Sequence, residues 1–365
     1  MFSVIVLFHQ GENFLRFCIE SLLKTTGVDV EIIILMNNAD ERQMDVRFDS
    51  ERVRIVKIAE SLGHARAANA GAQAANGDYL IFADHDLVFT PGWFEALRAT
   101  HFRSPVIGAT SCRVLNPHTL RVLDFGIGFT RLNSPHPHLD QPRNSPLAEK
   151  DREVQAACTG GLLIERRLFE HMGGFDADLG NFYTDIDLCL RLKDENRQCW
   201  VAAGAEIYHF GGDFSQVSRR YKASFLKSDV KAWFRAKNDS RIAVDMERYY
   251  EQSWAQFQTH PMGIADEYVV CSLMNVVDPH WYIDLMRERI RLVDPAILPT
   301  GNRDSGEESL YENLGYDFMT LRVPIAYFVD RFVCLGNNGL WWENRADRRD
   351  IVVDRNGNIM HVADL

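Results

Sequence analysis

The strongest constraint on this chain is a series of short, almost wholly apolar segments separated by stretches with helical spacing. Ser3 to Phe8, Val30 to Met36, Val53 to Ile58 and Tyr79 to Ala83 read as strands. Between them, Asn13 to Lys24 places Phe14, Phe17, Cys18 and Leu22 at helical intervals, and Gly63 to Ala75 is a helix of small residues. A strand that is apolar on both faces has no side to offer to water, so helices must cover the sheet on both sides. Strands joined by helices run parallel. The expected fold class is α/β with a mostly parallel central sheet.

Further along, Ala156 to Ile164 reads as another strand, followed by a helix from Arg166 to Met172 and a Gly173-Gly174 turn. A helix is expected from Ile186 to Glu195, then two short strands, Cys199 to Ala203 and Ala205 to Tyr208. The polar stretch from Arg131 to Asp151, which contains His136-Pro137-His138, reads as a long surface loop. Beyond Gly212 the texture changes. Phe225, Val230, Trp233, Val244, Trp254, Phe257, Val269 and Leu273 recur at helical spacing, which predicts a mainly helical C-terminal region. Asn356-Gly357 between Val352-Val353 and Ile359-Met360 predicts a hairpin. The expected division is residues 1–214 and 215–365.

Composition narrows the function. Over 365 residues, 46% hydrophobic and 25% charged content excludes a disordered or collagenous chain. The net charge of −11 argues against nucleic acid as a partner. An acidic protein that handles phosphates needs a metal ion between itself and the ligand. The seven cysteines form no CxxC pair, which fits reduced thiols and a cytoplasmic setting. Phe2 to Phe8 lacks the features of a secretory leader, and no apolar run reaches the roughly 20 residues of a membrane span. Peripheral contact with a membrane is left open.

Asp84-His85-Asp86 follows directly on the strand Tyr79 to Ala83. Ligands of open α/β sheets bind beyond the carboxyl ends of strands. If strand geometry persists, the two carboxylates point to one side and suit a divalent metal held against a diphosphate. The same residues also suit a plain polar turn.

Context separates the two readings. SVIVLFHQGENFLRFCIESLL at the N-terminus and SLGHARAANAGAQAANGDYLIFADHD leading into LVFTPGWFEAL resemble the donor-binding core of family 2 glycosyltransferases with a GT-A fold. ACTGGLLIERRLFEHMGGFDADLGNFYTDIDLCLRLK resembles that family's acceptor-side block, and the resemblance covers about residues 1–214. It implies a GT-A, Rossmann-like nucleotide-sugar domain. The implied activity is metal-dependent, inverting transfer of a sugar from a nucleotide-sugar donor to a hydroxyl of a glycan, lipid-linked or protein acceptor.

Residue by residue, the resemblance makes Asp185 the catalytic base and Asp84 and Asp86 the metal and diphosphate site. His209 completes it, with Mn²⁺ or Mg²⁺ as the metal. Asp185 also reads as a helix N-cap, and the family's acidic residue is replaced before it by Thr184. Asp187 and Arg191, four residues apart, are expected to pair. Phe8, His9 and Glu12 are candidates to touch the nucleotide, and Asn37 or Asn38 to accept the base's N–H where many relatives carry Asp. Arg66 and His64 are candidates for the phosphates or for a plain helix face. Gly160-Gly161 suits either close approach to a sugar or a tight packing turn, Trp93 a helix start, and Trp341-Trp342 either sugar stacking or partial burial.

The C-terminal region is expected to shape the acceptor site, to bind a partner copy in a homo-oligomer, or to approach a membrane-borne acceptor. Two other readings share the sheet. A sugar-1-phosphate nucleotidyltransferase would need a Gly-rich basic loop after the first strand, where this chain has Leu7-Phe8-His9-Gln10-Gly11-Glu12. The other is a non-catalytic nucleotide- or carbohydrate-binding scaffold.

Overall fold

A computed structural model describes residues 1–8, 11–37, 47–58, 62–129, 143–145, 148–210, 228–243 and 245, together with five short strands farther on. The chain forms two compact units, one of Met1–Ile127 with His138–Ala243 and one of Gly128–Pro137 with Val244–Leu365.

The first unit contains β1 (Phe2–Phe8), α1 (Glu12–Thr25), β2 (Val30–Asn37), β3 (Val53–Ile58), α2 (His64–Ala74), β4 (Tyr79–Asp84) and β5 (Leu87–Phe89). It continues with α3 (Trp93–His101), β6 (Ile107–Leu115), β7 (Val122–Asp124), β8 (Arg152–Val154), β9 (Leu162–Glu165), α4 (Arg166–His171), α5 (Thr184–Arg191), β10 (Gln198–His209) and α6 (Ser228–Asn238). The strands form one sheet in the order β3-β2-β1-β4-β9-β6-β10-β5, with β7 beside β6 and β8 beside β10. β1, β2, β3 and β4 are mutually parallel, as are β6 and β10, whereas β9 runs antiparallel between β4 and β6. The α/β expectation is met.

The chain steps outward from β1 through β2 to β3 and returns to place β4 on the other side of β1. That reversal opens a crevice at the carboxyl ends of β1 and β4. Because β9 is antiparallel to both its neighbours, β6 and β10 end at the same edge as β4.

Helix packing explains the small-residue pattern. Ala65, Ala67, Ala68, Gly71 and Ala72 are the buried face of α2. A Cβ on Gly71 would stand 2.4 Å from Ile5 Cγ2, so α2 lies on β1 only because that position has no side chain. Leu15, Cys18, Ile19 and Leu22 of α1 are fully buried. Trp93 starts α3 as expected, fully buried, its indole N–H donating to Thr25 Oγ1 at 2.9 Å.

Several details differ from the sequence reading. β6 was not anticipated, and it is the most enclosed strand, with all nine residues buried. Its Thr110, Ser111 and Arg113 mask the apolar pattern and bond to tertiary partners, among them His101, the Cys158 carbonyl and Glu206. Only Leu162 to Glu165 of the expected strand from Ala156 is a strand, preceded by an isolated bridge from Ala156 to Ile127. The two short strands at 199–208 are one, β10, whose register against β6 shifts between Ala202 and Glu206.

The expected mainly helical C-terminal region is described only in part. Val230 and Trp233 do lie on α6, which belongs to the first unit. The elements described beyond Val244 are strands: β11 (Glu267–Ser272), β12 (Arg291–Leu292), β13 (Ile325–Phe328), β14 (Ile351–Val353) and β15 (Ile359–His361). They form a second sheet in the order β12-β11-β13-β14-β15. Val269 sits in β11 opposite Ile325, so its apolar neighbours satisfy a sheet and not a helix face. The predicted hairpin is present, Val352 facing Met360 and Val353 facing Ile359. Trp254, Phe257, Leu273 and Trp341-Trp342 lie outside the described residues, as does His136-Pro137-His138.

Candidate functional site

Asp84 is the last residue of β4, opposite Leu7 of β1 at the crevice. Strand geometry does not persist to Asp86 as expected: the chain turns at His85-Asp86 and re-enters the sheet as β5, antiparallel to β10. That turn sets Leu87 opposite His209, and the Phe210 N–H donates to the Asp86 carbonyl at 3.0 Å. The result is a contact the alternation argument did not foresee. His209 Nε2 lies 3.3 Å from Asp86 Oδ1, and Asp86 is only 7% exposed.

The electrostatics of the pair are reciprocal. Burial works against an ionised Asp86, but the hydrogen bond and charge of His209, with the charge of His85, outweigh it and hold the carboxyl below its ordinary value. Burial likewise opposes a charged His209, and the bond to Asp86 with the charges of Asp86 and Asp84 raises it above the usual imidazole value. Asp84, Asp86 and His209 therefore share one field.

Asp185 lies in the first turn of α5 and is not its cap. The preceding Tyr183 has φ 58° and opens the helix with no side-chain cap. Asp185 Oδ1 accepts the Ile186 N–H at 2.9 Å. Burial raises the Asp185 pKa; the Ile186 N–H and the charge of His64 lower it, and the charge of Asp124 raises it again, so the net shift is upward. His64 opens α2, which follows β3, and its Nδ1 lies 3.4 Å from Thr184 Oγ1, so the start of α5 lies on the side of the sheet where the parallel strands end, as does the Asp86–His209 pair.

The helix that carries Asp185 is firmly held. The expected Asp187–Arg191 pair is present at 2.8 Å, and the Arg191 guanidinium also donates to the carbonyls of Met172 and Gly174 at 2.7 and 2.6 Å. The Asp187 carboxylate, fully buried, also takes Lys237 Nζ at 2.8 Å and the Asn238 amide at 2.9 Å. Lys237, Asn238 and Asp124 were not legible as site residues, because each matters only through a partner distant in sequence.

The remaining candidates divide. Phe8 is buried and packs edge-on against His85, so it supports the Asp84–Asp86 turn from beneath. Glu12 opens α1, where its charge favours the helix N-terminus. Its Oε1 is buried with no hydrogen-bond partner among the described residues, an acceptor that a ligand hydroxyl would satisfy. Asn37 binds backbone: Oδ1 accepts the Leu62 N–H at 2.7 Å and Nδ2 donates to the Leu62 carbonyl at 2.5 Å. It pins the approach to α2, a role the sequence reading did not include. Arg66 is exposed on α2. His9 and Asn38 lie outside the described residues. Gly161 is a packing turn: φ is 77°, and a Cβ there would meet Cys112 Sγ at 2.5 Å.

No group of three or more metal-ligating side chains converges among the described residues. Asp86 and His209 nonetheless fit a divalent cation. A carboxylate oxygen beside an imidazole nitrogen suits Mn²⁺ or Mg²⁺ sites that leave other positions to diphosphate oxygens and water.

The chain was compared with known proteins. The family described as glycosyl transferase family 2 matches residues 3–171. The O-antigen biosynthesis protein RfbC of Myxococcus xanthus is 26% identical over 221 residues, 57% of this chain and 17% of that protein. An uncharacterized glycosyltransferase, YwdF, of Bacillus subtilis is 25% identical over 212 residues, 57% of this chain and 74% of that one. The chain thus spans only a small part of RfbC. A crystal structure of GalNAc-T7 with UDP, GalNAc and Mn²⁺ aligns at TM-score 0.47 and 18% identity, covering 71% of this chain and 57% of that one. Over residues 3–171 the chain is thus similar to glycosyl transferase family 2.

Proposed function

We propose that the chain is a metal-dependent, inverting glycosyltransferase that moves a sugar from a nucleotide-sugar donor to a hydroxyl of a glycan, lipid-linked or protein acceptor. The observation that carries the reading is the placement of two unlike centres at one sheet edge. The Asp86–His209 pair, 3.3 Å apart, suits a metal–diphosphate complex, and Asp185 is a carboxylate whose proton affinity is raised by burial.

In this reading Asp185 accepts the proton of the acceptor hydroxyl as that oxygen forms its bond to the anomeric carbon. The bond from that carbon to the diphosphate breaks in the same step, its electron pair leaves with the nucleoside diphosphate, and the configuration inverts. A raised proton affinity suits this, because a base must hold the proton it takes. Asp86 and His209 would ligate the cation, with Asp84 adding negative charge beside it. The bound cation supplies charge neutralisation for the departing diphosphate. Glu12 Oε1, buried without a hydrogen-bond partner among the described residues, would accept from a nucleotide hydroxyl.

Thermal unfolding with a panel of nucleoside diphosphates and nucleotide sugars, each with Mn²⁺, Mg²⁺ or chelator, tests the donor half. A ligand at about 100 times its dissociation constant adds about 2.7 kcal/mol, which moves the midpoint measurably. A metal-dependent shift with one nucleotide supports the reading and identifies the base. No shift with any nucleotide and metal would reject it in favour of a scaffold.

A further inference from the structure

The start of α2 is bound to the segment that leads into α5. The His64 N–H donates to Asn181 Oδ1 at 2.7 Å, and the Ala65 N–H donates to the Gly180 carbonyl at 3.0 Å. Gly63 keeps this approach close, since a Cβ there would stand 3.2 Å from Asn181 Oδ1. The His64 ring rests edge-on to Phe175 at 6.1 Å between centroids, and its Nδ1 faces Thr184 Oγ1 at 3.4 Å. Thr184 is 2% exposed and adjoins Asp185. A contact of 3.4 Å is long for a hydrogen bond, as such contacts often are before substrate binds.

We infer that His64 is a positioning residue for Asp185, fixing through Thr184 the first turn of α5, which carries the carboxylate that takes the acceptor's proton. This assigns His64 to the acceptor side of the crevice and not to the donor phosphates.

The charges that face Asp185 come from three elements. His64 on α2 favours its ionised form, and Asp124 at the end of β7 opposes it. Cys158, ahead of β9, donates its thiol to Asp124 Oδ2 at 3.2 Å and stays protonated, pushed up by burial and by the charges of Asp124 and Asp185. On α5 itself, Asp187 is spent on Arg191, Lys237 and Asn238. His64 is thus the imidazole counterweight to Asp124. Without it, the charge of Asp124 would act on Asp185 unopposed by His64, and the Asp185 pKa would rise further.

The inference rests on the glycosyltransferase reading for its activity arm only. The experiment uses the full chain with His64→Gln and, as an isosteric change that removes only a hydroxyl contact, Thr184→Val. The first readout is independent of catalysis: the carbon-13 titration of aspartate side-chain carboxyls, with the Asp185 signal assigned by its loss in Asp185→Asn. His64→Gln should move the Asp185 midpoint upward, and Thr184→Val should move it the same way by less. The second readout is kcat against pH. His64→Gln should lose roughly tenfold on the acid limb of the profile, converge with the parent on the alkaline side and leave the donor KM unchanged.

A midpoint and a pH profile that stay in place while the melting temperature falls would make His64 a packing residue and overturn the inference. A midpoint that moves in a chain that transfers no sugar would sustain the pairing and reject the proposed function.

Discussion

Lys237 Nζ lies 2.8 Å from the Asp187 carboxylate, a group that solvent does not reach. Lys237 comes from α6, and Asp187 sits on α5 two residues after the proposed base; both lie beyond residues 3–171, where the family matches. Tyr183 and Phe234 stack at 4.7 Å alongside, and Lys237 also reaches Asp176 at 2.5 Å. A carboxylate removed from water needs charges and donors on every side. Here Arg191 supplies one side, and Lys237 with Asn238 supplies the other. α6 therefore acts as a brace for the helix that presents Asp185.

Asp187→Asn should consequently be costly. It leaves Arg191 and Lys237 facing an amide in a closed site, and breaking a buried pair from one side costs about 3–5 kcal/mol. Lys237→Met should cost less, about 1 kcal/mol, because Lys237 is partly exposed and Arg191 and Asn238 still serve the carboxylate. Urea unfolding of the three proteins checks the order. Equal losses would mean that α6 does not share the charge.

Asp185→Asn should lower kcat by about 10²- to 10⁴-fold, the usual contribution of a general base, with metal-dependent nucleotide binding retained. In the parent chain the base works ionised. Its folded pKa lies above the ordinary aspartate value, so activity should decline as pH falls through that raised value and recover above it. Single-turnover transfer against pH, beside nucleotide titration of the variant, is the measurement. Undiminished turnover would remove Asp185 from the chemistry.

Asp86→Ala and His209→Ala should each abolish the chelator-sensitive part of nucleotide binding while leaving the fold intact. The pair lies at the edge of the sheet, and His209 is about a third exposed. Titration of a nucleoside diphosphate with and without Mn²⁺, followed calorimetrically, distinguishes this from general loss of affinity. Metal-enhanced binding that survives in both variants would place the cation elsewhere.

What the sequence made legible follows from how local each signal is. β1 to β4 are apolar runs closed by turns, and their parallel arrangement follows from needing cover on both faces. Asp185 and Asp86 were visible because they stand in motifs with neighbours in the chain. β6 was not, since Thr110, Ser111 and Arg113 belong inside only once His101, Cys158 and Glu206 have been brought to them. The Asp86–His209 contact depended on a turn at His85, and strand alternation could not supply it. The bonds of the Asn37 amide to the Leu62 backbone were not legible, because Leu62 lies 25 residues away in the chain. Apolar spacing around Val269 was read with a helical period where the neighbours are strands, a confusion natural to short apolar runs.

His101 gives a test of the fold that does not involve the active site. It is 5% exposed at the end of α3, with its Nδ1 3.0 Å from Thr110 Oγ1 of β6. Burial disfavours the imidazolium and lowers its pKa from 6.5 to about 4. Between those values the unfolded chain binds the proton and the folded chain does not, so stability must fall as pH is lowered through that window. The full stability is present above the unfolded value, and the loss, about 3 kcal/mol at most, is complete below the folded one. Replacing His101 with Gln keeps a polar group for Thr110 and removes the titration, so its stability should vary less between pH 7 and pH 4. Urea midpoints of parent and variant across that range decide it: parallel curves would show that the imidazole titrates alike in the folded and unfolded chains.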